Sequence, residues 1–365
     1  MVMPESDTPA NNYSPISRLL HRLAVGNQFF LQATCDLDQL ATKPDKSLNA
    51  LEHVFISGLA RSGSTLLLNL LYGTRTFCSL TYADMPFPLM PRIWSRLRKQ
   101  TANDHSLIKR AHGDGMNIGL HSPEAIEEVF WKLHTGDNYI SRNCLVPYRV
   151  KSACIENFRD YVGRILKTNV GFMANRYLSK NNNNILRLPS ILTAFPRAKV
   201  IIPFRHPLTH SGSLLNQHSR FCEQQEKDKF IEDYMAWLGH HEFGRTHKPF
   251  YFGSVPMIES DFPTESLNYW LKNWNDTYDF LLNTVGDESI FFCYESLCAD
   301  PTNSLRQLCD AINVDIAKLP GVSININEQT IDSRMIDQTL ARQSRIIYDG
   351  LRERSINGFN IELDF

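Results

Sequence analysis

Eight residues, Gly58-Leu59-Ala60-Arg61-Ser62-Gly63-Ser64-Thr65, fit the phosphate-loop pattern G-x-x-x-x-G-K-[ST] at every fixed position but one. Ser64 stands where the pattern has lysine. Backbone N–H groups in such a loop, and the N-terminus of the helix that follows it, point at an anion. The lysine normally reaches the β- and γ-phosphates of a nucleoside triphosphate. A loop without it suits a phosphorylated ligand other than ATP or GTP used in the ordinary way. A second segment, Phe204-Arg205-His206-Pro207-Leu208-Thr209-His210-Ser211-Gly212-Ser213, carries an arginine and a serine eight positions apart. Arginine offers a planar fork to phosphate oxygens, and a serine hydroxyl adds one more donor. Taken alone, the same pair is equally explained by an arginine–carboxylate bridge and a packed serine.

Both segments need elements that hold them. Val54-Phe55-Ile56 reads as a strand before the glycine loop, and Leu66-Leu67-Leu68-Asn69-Leu70-Leu71 as a helix after it. Ala198 to Phe204 is short, apolar and rich in branched residues, the composition of a strand covered on both faces. Arg205 follows its carboxyl end, where open parallel sheets bind ligands. A helix is expected from about 208 to 220. Ser14-Pro15 reads as an N-cap and first-turn proline, with Ile16, Leu19, Leu20 and Leu23 at helical spacing. Further helices are expected around Ile93-Trp94-Leu97, from Ser122-Pro123-Glu124 onward, over 157–178, 189–195, 264–285 and 301–312. Further strands are expected at 79–82, ending at 185–187, and at 289–293. Residues 101–123 read as a surface excursion and 223–263 as a cover. Strands alternating with helices predict an α/β fold: a P-loop-like three-layer arrangement with a central parallel sheet flanked by helices, plus helical additions. The expected division is 1–50 as N-terminal tail and helix, 51–315 as the α/β domain, and 316–365 as a C-terminal extension packing on it.

Composition narrows the class. The 365 residues are 42% hydrophobic and 21% charged, with net charge −1. Such a balance gives no broad field toward nucleic acid or anionic membrane. Eight cysteines form no C-x-x-C pair and no zinc spacing, so scattered buried thiols and a reducing compartment are expected. No apolar stretch approaches the ~20 residues of a membrane span. The first twelve residues are polar and acidic, unlike a signal peptide, and the expected location is cytoplasmic. Asn181 to Asn184 reads as a short polar run without a role.

Together the two phosphate segments resemble the sulfotransferases that use 3′-phosphoadenosine 5′-phosphosulfate (PAPS). That family places a lysine-poor glycine loop against the 5′-phosphosulfate, and an arginine and serine eight residues apart against the 3′-phosphate. Lys180, Phe195-Pro196-Arg197-Ala198-Lys199 and Tyr294-Glu295-Ser296-Leu297 with Asp300-Pro301 extend the resemblance over roughly Val54 to Ile312. It implies PAPS as co-substrate, no metal, and in-line attack by an acceptor hydroxyl or amine, with adenosine 3′,5′-bisphosphate leaving. Arg61, Ser62, Gly63, Ser64, Thr65, Arg205 and Ser213 would bind the donor. Arg61 and Lys180 would stabilise the charge that builds on the bridging oxygen. Asp84 is the expected base, since the family often places one after the second strand; its alternative role is to cap the turn into Pro86 and Pro88. His112, Asp114, Glu127 and Glu128 are rival bases. Glu124 reads as a first-turn acid, and His206 and His210 as positioning groups. The acceptor is expected to be a carbohydrate. The rival functions are a kinase with an unusual phosphate loop, which a magnesium requirement with ATP would mark, and an inactive nucleotide sensor.

Overall fold

The computed structural model describes residues 14–42, 47, 50–99, 108–109, 117–118, 123, 125–168, 174–253, 262–321 and 336–358. Two helices, α1 (Pro15–Ala24) and α2 (Gln28–Leu40), precede the sheet. Then come β1 (Val54–Ile56), α3 (Ser64–Gly73), β2 (Phe77–Cys78), α4 (Pro91–Lys99) and the pair β3 (Ile108–Lys109) and β4 (Asn117–Ile118). Next are α5 (Glu128–Thr135), α6 (Ser152–Leu166), β5 (Arg176–Lys180), α7 (Leu188–Ala194) and β6 (Lys199–Phe204). The chain continues with α8 (Pro207–Lys227), α9 (Lys229–Leu238), α10 (Leu267–Thr284) and β7 (Ser289–Cys293). It closes on α11 (Tyr294–Ala299), α12 (Pro301–Ala311) and α13 (Gln338–Arg354).

Five strands form one sheet in the order β2-β5-β1-β6-β7, and every pairing is parallel. The strands are apolar on both sides because both sides are covered. In β1, Val54 and Ile56 face a core shared with Leu67 and Leu68 of α3 and Leu305 and Leu308 of α12. Phe55 faces the opposite core, with Phe158 and Tyr161 of α6 and Ile191 of α7. In β6, Val200, Ile202 and Phe204 join Leu214 of α8 and Trp270, Trp274 and Tyr278 of α10, while Ile201 turns to the α3 side. The side-chain period of two thus builds both outer layers from single strands.

That alternation also places the site. Register sets Ile56 opposite both Lys180 of β5 and Ile201 of β6. The helix after β1 packs on one face and the helix after β6 on the other. Neighbouring strands whose connections leave to opposite faces open a crevice at their carboxyl ends. Arg61 and Arg205 both follow those ends.

Several expected elements shift. The helix expected over 157–178 ends at Leu166, because the chain must return to the sheet as β5 at Arg176. The strand expected to end at 185–187 is a 3₁₀ turn, Asn182–Leu186, and the true strand lies just before it. In place of the strand at 79–82, β2 ends at Cys78 and Tyr82–Asp84 forms a 3₁₀ turn. The helix read from Ser122-Pro123-Glu124 begins at Glu128, and Pro123 instead bridges Thr81. The expected cover over 223–263 begins as helix, since α8 runs on to Lys227 and α9 follows. All eight cysteines are free thiols, six of them buried.

Candidate active site

The glycine loop forms a left-handed corner. Gly63 caps α3 at φ +91°, and a Cβ there would sit 2.8 Å from Cδ2 of Tyr294. Only glycine combines that backbone conformation with that contact at low cost. No side chain caps the N-terminus of α3, so its first-turn N–H groups keep no intrahelical partner and face outward along the helix dipole. Arg61 also takes a left-handed conformation, φ +67°, which costs an L-residue roughly 1–2 kcal/mol. Two contacts hold it there. Its Nε donates to Ser213 Oγ at 3.2 Å, and its carbonyl accepts from Arg205 Nη1 at 3.2 Å.

The two phosphate segments are therefore one structure. Arg205 stands with its guanidinium 4.6 Å from the ring centre of Tyr294, the same ring that Gly63 touches. Next to it, the His206 N–H donates to Glu295 Oε1 at 2.9 Å, and Tyr348 of α13 donates to Glu295 Oε2 at 3.2 Å. His210 Nε2 lies 2.8 Å from the Ala60 carbonyl, tying α8 to the glycine loop. Burial pushes the His210 imidazole down to about 3 and His206 down to about 4, and the Arg205 charge pushes both the same way. Both rings stay neutral near pH 7, so the positive charge here belongs to Arg61 and Arg205.

Lys180 ends β5, buried, beside the start of the glycine loop. The four asparagines after it are all buried, and each amide donates to a different acceptor. Asn181 reaches Glu128 Oε2 at 2.7 Å, Asn182 reaches Glu242 Oε1 at 2.9 Å, Asn183 reaches the Gly239 carbonyl at 3.1 Å, and Asn184 reaches Glu127 Oε1 at 3.2 Å. The run that reads as a featureless polar stretch is a fastener. It binds the start of α5 and the 239–242 loop to the strand end that carries Lys180.

The candidate bases divide. Asp84 closes its own 3₁₀ turn: Oδ2 accepts from Thr81 N at 2.7 Å and Thr81 Oγ1 at 3.0 Å, while Oδ1 pairs with Arg98 at 3.1 Å. These contacts form a capping box on the Tyr82–Asp84 turn, which precedes the Pro86–Pro88 turn that the sequence offered as its alternative. Glu127 is buried among Trp131 Nε1, Tyr177 OH and Asn184. Glu128 is buried against Arg187 at 2.7 and 2.9 Å, with Tyr139 and Asn181 also donating to it. Both serve the core. His112, Asp114 and Glu124 lie outside the described residues. Sequence reasoning singled out neither Glu242 nor Tyr294 as a site residue. Glu242 carries no local motif; His240 lies beside it in the chain, but Asn182 reaches it from 60 positions away.

Among solved structures, the chain is similar to sulfotransferase STF9 from Mycobacterium avium, with 14% identity over 97% of this chain and 89% of that one and a TM-score of 0.49. It is also similar to sulfotransferase STF1 from Mycobacterium tuberculosis H37Rv, with 12% identity, 93% and 85% coverage and a TM-score of 0.44. No curated protein matches it. The profile of the sulfotransferase family matches residues 53–248, more than half of the chain and the stretch that holds the glycine loop, Lys180 and the Arg205–Ser213 segment. This chain belongs to the sulfotransferase family.

Proposed function

We propose that the chain binds PAPS with the 5′-phosphosulfate in the 58–65 loop and the 3′-phosphate between Arg205 and Ser213, and passes the sulfuryl group to an acceptor hydroxyl by in-line displacement. Sulfotransfer from PAPS is the activity of the family to which the chain belongs. The observation that carries the residue assignment is the contact of Arg61 with both Ser213 and Arg205. It joins the loop that carries the N–H groups of Ser62, Gly63, Ser64 and Thr65 to the segment that carries Arg205 and Ser213. A nucleotide charged at both its 3′ and 5′ ends matches two such segments.

The acceptor oxygen attacks sulfur while the bond from sulfur to the 5′-phosphate oxygen breaks, and adenosine 3′,5′-bisphosphate leaves. Charge builds on the oxygen of that breaking bond. Arg61 and Lys180 are the cations assigned to it, and fixed donors at a developing charge are typically worth about 3–4 kcal/mol each. Asp84, the base expected from sequence, has both carboxylate oxygens engaged by Thr81 and Arg98, so this reading leaves proton acceptance to another group. A carbohydrate hydroxyl is the acceptor proposed here.

Calorimetry of adenosine 3′,5′-bisphosphate, AMP and ATP without metal tests the donor site. The bisphosphate should bind tightest, and Arg205→Ala should weaken it about 10- to 100-fold while changing AMP little, the loss of one charged hydrogen-bonding partner. Equal losses for the two nucleotides would remove the 3′-phosphate assignment. Tightest binding of ATP, with a magnesium requirement, would favour a kinase.

A further inference from the structure

Helix α13 lies beyond the stretch that the family profile matches. It and the residues just after it hold the corner where β7 runs into α11, and that corner carries Tyr294 and Glu295. β7 is an edge strand of the described sheet, so one row of its backbone groups has no neighbouring strand to pair with. The segment after α13 pairs with that row. The Ile356 N–H donates to the Phe291 carbonyl at 3.2 Å. The buried Asn357 side chain then meets Cys293 as a strand residue would: its Oδ1 accepts from the Cys293 N–H at 2.8 Å, and its Nδ2 donates to the Cys293 carbonyl at 2.9 Å. Tyr348, buried in α13, donates to Glu295 Oε2 at 3.2 Å. One turn earlier, Ser344 Oγ lies 2.7 Å from Asn275 Oδ1 and fastens α13 to α10.

The corner stands against the second phosphate segment. Register sets Cys293 opposite Phe204, so Tyr294 and Arg205 leave neighbouring parallel strands side by side. Each corner residue holds a different part of the arginine segment. The Tyr294 ring centre lies 4.6 Å from the Arg205 guanidinium, and Glu295 Oε1 accepts the His206 N–H at 2.9 Å. The ring holds the side chain, and the carboxylate holds the backbone directly after it. Tyr348 packs beside this backbone too, with ring centres 5.4 Å from His206 and 5.8 Å from Phe204. An arginine fork serves a phosphate best when its orientation is fixed in advance, because less freedom is then lost on binding.

Resting on the donor placement above, we propose that Tyr348 and Glu295 are positioning residues for the 3′-phosphate. The chain of contacts from Tyr348 through Glu295 to the His206 N–H sets the aim of Arg205. By this route α13, a helix outside the family-matched stretch, sets how strongly the protein prefers a nucleotide phosphorylated at both ends. Neither side chain has to touch the nucleotide. A carboxylate is acceptor-only and would repel a phosphate; the oxygens of Glu295 are turned to a backbone N–H and a phenol instead.

The test is calorimetric titration of adenosine 3′,5′-bisphosphate and AMP, which differ in the 3′-phosphate alone, and the readout is the ratio of the two affinities. Tyr348→Phe keeps the ring and removes the donor. It should weaken bisphosphate binding about three- to tenfold, the effect of one hydrogen bond, and leave AMP within about twofold. Glu295→Ala should lower the ratio at least as far. Glu295→Gln should hold it within about twofold of wild type, because an amide oxygen still accepts from the His206 N–H and the amide N–H₂ can donate to the Tyr348 hydroxyl. Ser344→Ala loosens α13 from α10 without touching these contacts; it should lower the melting temperature and leave the ratio unchanged. A Tyr348→Phe ratio equal to that of wild type overturns the proposal. So does an equal loss of both nucleotides, or a ratio that falls as far in Ser344→Ala, since either result marks α13 as packing alone. A Glu295→Gln ratio as low as that of Glu295→Ala overturns the hydrogen-bond route. A wild-type chain with no preference for the bisphosphate overturns the donor reading itself, and the positioning roles with it.

Discussion

Arg61 Nε lies 3.2 Å from Ser213 Oγ, a contact between residues 152 positions apart that joins the loop after β1 to the helix after β6. Each residue belongs to a separate segment, and the contact ties the two together. Arg61 holds a left-handed conformation while Ser213 fixes its side chain and Arg205 fixes its carbonyl.

The coupling is measurable. In a cycle of Arg61→Ala, Ser213→Ala and the double variant, affinities for adenosine 3′,5′-bisphosphate should be non-additive by about 0.5–3 kcal/mol, the range for residues in one network. Additive losses by calorimetry would mean that the two segments bind their groups separately.

Gly63→Ala should disturb both segments at once. The new methyl group would lie 2.8 Å from the Tyr294 ring, on a backbone at φ +91°. The left-handed conformation alone costs about 1–2 kcal/mol, and displacement of Tyr294 removes the surface on which Arg205 stacks. Thermal melts should show lower stability and titration weaker bisphosphate binding. Tyr294→Ala in the same chain should relieve the crowding but restore neither the backbone conformation nor donor affinity. Full recovery in the double variant would mean that crowding alone was responsible.

Arg187→Met should be strongly destabilising. The guanidinium is fully buried, bonded to Glu128 and stacked 4.8 Å from the Trp131 ring centre. Its removal strands a buried carboxylate, at a cost of about 3–5 kcal/mol in denaturant unfolding. Substituting Glu128→Gln in the same chain should recover part of that loss, because no uncompensated charge then remains. An unfolding midpoint unchanged by Arg187→Met would show that the pair carries no net stability.

Acid should weaken the fold before carboxylates titrate fully. His206 and His210 are held down to about 4 and about 3 by burial and by Arg205, whereas the unfolded chain takes up those protons near 6.5. The unfolded state then binds more protons below pH 6.5, so stability falls as pH drops from there toward 4. Each such histidine contributes at most about 1.4 kcal/mol per pH unit. Melts of His210→Gln over pH 4–7 should show a shallower decline than wild type by one group's share. An identical slope would mean that His210 titrates alike in both states.

What the sequence determined by itself is local. The glycine spacing, the apolar runs on either side, and the eight-residue step from Arg205 to Ser213 involve neighbours in the chain, where backbone conformation and helix or strand period decide the structure. The parallel sheet, the α/β layering and the family resemblance were legible for that reason. The tertiary structure decided which polar groups meet. The Asn181–Asn184 run acquires its meaning from Glu127, Glu128, Gly239 and Glu242, residues 53–60 positions away for the three carboxylate partners and 56 for the carbonyl. Asp84, read from the sequence as base or as cap, meets at its second oxygen Arg98, which α4 brings back to it. Glu242 stands in no motif, and its surroundings combine His240 beside it in the chain with Asn182 and Lys180 from far away. A buried carboxylate takes its role from the charges and donors that folding places around it, and a linear sequence does not state those distances.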